Sequence, residues 1–93
     1  MNEEQKKIRK SINELLSQLD KVELTPEMVD SPVIARLIVM KGHFTNKEYI
    51  RFLFKSEDGI NILNVMISSF KEDLEELKNI NIKKDDEQVI ESE

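Results

Sequence analysis

The 93-residue sequence has no cysteine, a single histidine, two glycines and two prolines. Without cysteine there is no disulfide framework, no thiolate nucleophile and no thiolate metal site, and one histidine is a poor start for zinc. No apolar run approaches the ~20 residues of a membrane span. The opening stretch MNEEQKKIRK has no apolar segment behind its charges, as a signal peptide would. A cytoplasmic protein with no membrane partner and no cofactor is the expectation.

Charge is plentiful but unevenly placed. The formal net charge is −5, made up of 0 over residues 1–20, +2 over 21–55 and −7 over 56–93. The middle of the chain is therefore locally basic although the whole is acidic, which keeps a polyanion partner open.

The densest apolar content lies in Ser31 to Phe54, SPVIARLIVMKGHFTNKEYIRFLF, read as a helical hairpin. Ser31 can accept from a free first-turn amide and Pro32 occupies a position where a missing N–H costs nothing. Gly42 is expected to end the first arm, with His43 and Phe44 as linker. Thr45 and Glu48 spell a capping box, from which the second arm runs through Tyr49 to about Lys55. VIARLIV is also rich in β-branched residues, but a lone strand would find almost nothing to pair with. Apart from Arg36, every side chain from Val33 to Met40 is apolar, as in a helix buried nearly all round.

Residues 2–20 read as a first helix with a narrow stripe of Ile8, Ile12, Leu15 and Leu19, continued by Val22. Lys21 to Asp30 is a connector that includes, at Glu27 to Asp30, one candidate turn after Thr25 and Pro26. A serine or acidic cap at Ser56 to Asp58 opens a long final helix to about Lys78. Its apolar positions Ile60, Leu63, Ile67, Phe70, Leu74 and Leu77 follow an unbroken heptad. Ile62, Val65 and Met66 broaden that face at its start only, so the first half is expected deep in the domain and the second half to carry a thin seam that can pair with the first helix or with another chain. Lys83 to Glu93 holds only Val89 and Ile90 as apolar residues. The segment is too polar to offset its own ordering entropy. The expected organisation is an all-α small helical bundle of about four helices at residues 1–80, with a disordered acidic tail at 81–93.

Three patterns bear on function. His43 is alone in a loop with no identifiable nucleophile or acid partner, and Glu72, Asp73, Glu75 and Glu76 lack the turn-forming glycine of a calcium loop, so neither catalysis nor a metal site is expected. Lys47, Arg51 and Lys55 at four-residue spacing form a basic stripe on the second arm, such as a helix-turn-helix presents to nucleic acid. Tyr49 and Phe52 crowd a short helix, and Phe70, Leu74 and Leu77 lie on the late seam, so these five are the candidate protein interface. The leading expectation is a non-enzymatic protein-binding regulator, inhibitor or assembly factor, working as a homodimer through helix-face docking. The alternative is a dimeric DNA-binding repressor or plasmid or phage accessory factor using the basic stripe.

Overall fold

The computed structural model describes residues 2–80 in full and, beyond them, only the trace of the last helix. The acidic tail expected at 81–93 lies outside the described residues. Five helices are described: α1 (Glu3–Asp20), α2 (Pro26–Val29), α3 (Pro32–Thr45), α4 (Lys47–Leu53) and α5 (Glu57–Glu91). The VIARLIV run is helical throughout, and the turn at Pro26–Val29 brings the expected four helices to five.

Helix starts follow the local chemistry. The Gln5 amide donates to Asn2 Oδ1 at 2.8 Å, the Val33 amide to Ser31 Oγ at 3.2 Å and the Gly59 amide to Ser56 Oγ at 3.0 Å. Each bond satisfies an amide that the helix itself leaves without a partner.

The hairpin junction differs from the sequence expectation. Gly42 does not end α3: the helix runs through it to Thr45, and neither glycine has a positive φ. Phe44 supplies the reason. Val33, Leu37 and Phe44 are buried along one face of α3, and Phe44 packs on Phe70 with ring centroids 5.5 Å apart. Stopping at Gly42 would give up that contact, which is worth more than the ~1 kcal/mol that a helical glycine costs. His43 and Phe44 are thus helix residues, not linker.

Thr45 does not open the next helix either. Its hydroxyl donates back to the Lys41 and Gly42 carbonyls at 3.0 and 3.2 Å. Asn46 ends α3 and caps α4, accepting from the Tyr49 amide at 3.1 Å. One residue therefore joins the two arms.

Because a Cβ at Gly42 would meet nothing within 4 Å and its backbone is already helical, Gly42→Ala should stabilise the protein. The expected gain is about 0.5–1 kcal/mol. A lower urea midpoint for the variant would mean that the glycine is needed for a bend.

α5 is the spine against which the other helices pack. α3 runs antiparallel to it, since Arg36 meets Asp73 and Glu76 while Phe44 meets Phe70. α1 follows the direction of α5, with Arg9 beside Phe54 and with Leu15 and Gln18 beside Leu74 and Glu75. The core joins Ile8, Ile12 and Leu15 of α1, Met28, the α3 face, Ile50 and Leu53 of α4, and Leu63, Met66, Ile67, Phe70, Leu74 and Leu77 of α5. Both heptad stripes are therefore covered within one chain.

Candidate functional site

The late seam of α5 is not a free surface. Phe70 and Leu77 are 0% exposed and Leu74 is 1% exposed, so a partner could reach them only by opening the core. Tyr49 is half-buried, its ring tilted against His43 at a centroid distance of 5.2 Å. Of the five residues expected at a protein interface, Phe52 alone is well exposed, at 65%.

The exposed apolar surface lies where burial was expected. Ile38 and Val39 on α3, and Ile62 and Val65 on α5, are 46–69% exposed. The physical reason is coverage. A helix that is apolar nearly all round needs neighbours on every side, and α3 has chiefly α5, α4 and the single turn of α2, meeting α1 only toward its C-terminal end. Its Ile38–Val39 side is left uncovered. On α5, Leu63, Met66 and Ile67 turn into the core but Ile62 and Val65 do not, so the first half is deep on one face and exposes apolar side chains on another.

Between these two helices runs an open groove of about 310 Å³ lined by Ala35, Arg36, Val39, Met40, Ser69 and Asp73. Helical spacing carries its α5 wall onward, because Ile62, Val65 and Ser69 fall at i, i+3 and i+7. One end is closed by charge. The Arg36 guanidinium donates from Nη2 to Asp73 Oδ1 at 3.1 Å and from Nε to Oδ2 at 3.3 Å, and reaches Glu76 at 3.4 Å. The hydrogen bond to Asp73, and then the charge of that carboxylate, raise the Arg36 pKa above its ordinary value. Asp73 is nearly buried, and this two-pronged contact satisfies it. Glu75 pairs with Lys78 at 3.8 Å. The acidic turn thus spends three of its carboxylates on ion pairs within the fold.

The basic stripe is also rearranged. Lys47 and Arg51 are exposed on α4, but α4 ends at Leu53 and Lys55 lies beyond it. The third cation comes from α1 instead. Arg9, Lys47 and Arg51 line a cleft of about 150 Å³ together with Phe44 and Ile50. The Arg9 guanidinium is held 4.8 Å from the centre of the Phe54 ring. Sequence spacing on α4 could not reveal Arg9, which is 38 residues before Lys47. The one-residue junction at Asn46 also differs from the three- to four-residue turn of a helix-turn-helix.

Among the described residues no group of three or more histidines and acids is placed to hold a metal ion, and no helix is long and apolar enough to cross a membrane. No family model matches the chain, and comparisons with curated proteins and with solved structures give no match, so a functional reading has to be built from the groove and the cleft themselves.

Proposed function

We propose that this protein is a non-enzymatic protein-binding module, acting as a regulator, inhibitor or assembly factor by helix-face docking on the α3–α5 groove. The observation that carries the reading is exposed Val39 in the wall of a groove with Ala35 and Met40, with exposed Ile62 and Val65 on the α5 face that includes groove-lining Ser69. Large apolar side chains scattered singly need no explanation, but a set on two adjacent packed helices is the kind of patch that partners cover. A groove between two helices suits a third helix laid along it, with apolar anchors at helical spacing.

The occupant we assign is the same face of a second copy. An isologous contact places this apolar face against itself, and a chain of this size gains the most from added burial. The Arg36–Asp73–Glu76 cluster offers both signs of charge at the rim, so two copies related by a two-fold axis can exchange partners there.

Val39→Asp and Val65→Asp test this without touching the core, since both side chains are mostly exposed. Light scattering after gel filtration should find a dimer for the parent chain. Each variant should remain helical and shift toward monomer, with a dissociation constant raised by roughly 10- to 100-fold. A parent chain that stays monomeric at high concentration, or folded variants that dimerise as before, would remove the reading.

A further inference from the structure

We infer that the cleft between α1 and α4 seats a backbone phosphate of a nucleic acid strand, with Arg9, Lys47 and Arg51 as its ligands. The inference does not depend on the α3–α5 groove, which lies on other residues.

The first support is unsatisfied charge. The ion pairs Lys6–Glu3, Arg36–Asp73, Arg36–Glu76, Lys41–Asp20 and Lys78–Glu75 hold other cations, and none of them includes Arg9, Lys47 or Arg51. Three cations that converge on one small cleft without a carboxylate repel one another, and an incoming anion relieves that repulsion.

The second support is shape. The cleft has an apolar floor, Phe44 and Ile50, both buried, with the cationic groups around it. The floor keeps water from competing from below, and a volume of about 150 Å³ admits a phosphate group and part of its ribose but no folded domain. Arg9 is already positioned. Stacking on Phe54 restrains its long side chain while leaving the guanidinium edge free for a two-pronged contact with phosphate oxygens.

The third support is continuity. Arg9 also lines a shallow depression on α1 with Lys6, Lys10 and Lys21 and a single acid, Glu14, so an excess of cationic groups leads away from the cleft along the helix. A single small anion would occupy the cleft alone, whereas a polymer of phosphates can follow the row. A flat headgroup layer cannot enter a walled cleft, which favours a strand over a membrane.

The test is a fluorescence-anisotropy titration of the full chain into labelled short duplex DNA and labelled single-stranded RNA, at low and at physiological salt. We expect binding at low salt that weakens with salt, with a slope of log K on log salt of about −2 to −3, as a strand brings two or three phosphates against the cleft and the adjoining α1 cations. Arg51→Glu and Lys47→Glu, each at an exposed position with no partner to lose, should weaken binding at least tenfold and flatten the slope by about 1. Lys71→Glu, on α5 and outside the cleft, should change neither. Absence of binding to both probes at low salt would overturn the inference. So would Arg51→Glu with an unchanged slope, or binding to phosphatidylserine vesicles without binding to either nucleic acid.

Discussion

Phe70→Ala should destabilise the protein by about 3–5 kcal/mol, the range for deleting a fully buried aromatic ring from a packed core. The total stability of a domain this size is roughly 5–15 kcal/mol, so this one change removes a large part of it. Phe70 has no exposed surface and is the largest of the side chains with less than 2% exposure. It is also where α3 is held to α5, through the tilted ring pair with Phe44. Urea denaturation should show a much lower midpoint for the variant, with a slope close to that of the parent chain. A double-mutant cycle with Phe44→Ala separates the ring contact, expected at about 0.5–1.5 kcal/mol, from burial alone. A loss below about 1 kcal/mol for Phe70→Ala would mean that the ring is not in the core and that the late seam of α5 is free after all.

Gly59→Ala should also destabilise strongly, by about 3 kcal/mol from overpacking plus loss of a cap. A Cβ at Gly59 would fall on the Leu53 carbonyl oxygen and within 2.7–2.8 Å of the Leu53 carbonyl carbon and Cα, all of them backbone atoms that no rotamer change can move aside. Relief requires the start of α5 to retreat from the end of α4. That retreat pulls the Gly59 amide off Ser56 Oγ and lifts buried Leu53 from its place. In the unfolded chain, a glycine-to-alanine change reduces conformational freedom and by itself favours folding. Gly42→Ala and Gly59→Ala share that contribution, so opposite signs in the two variants isolate the close approach at Leu53. Equal urea midpoints for Gly59→Ala and the parent chain would show that α4 and α5 do not meet there.

Local signals made most of the elements legible. Ser31 before Pro32 and Ser56 before two acids mark helix starts through a side-chain acceptor and free amides, which is short-range chemistry. The stripes Ile8–Ile12–Leu15 and Leu63–Ile67–Phe70–Leu74–Leu77 name core residues because a helix turns its faces at a fixed period. At the hairpin junction local signals misled. Gly42 and Thr45 carry the chemistry of an end and a start, but a buried Phe44 beyond them outweighs both.

The candidate surfaces were legible only as inventories. The sequence contains Ile38, Val39, Ile62 and Val65, but whether an apolar residue is covered depends on which helices come to lie beside it. Here the short α2 and the antiparallel placement of α3 leave that side of the pair open. Lys47 and Arg51 were visible as a row on one helix. Arg9 joins them, and Lys55 leaves them, because α1 passes beside α4 and α4 stops after two turns. The sequence by itself determined the helical class, most of the caps and the identity of the core stripes, since these depend on contacts within a few residues. Which stripe is buried, which apolar face is left to a partner and which cations share a cleft were decided by tertiary structure, because each depends on the placement of a helix distant in the chain.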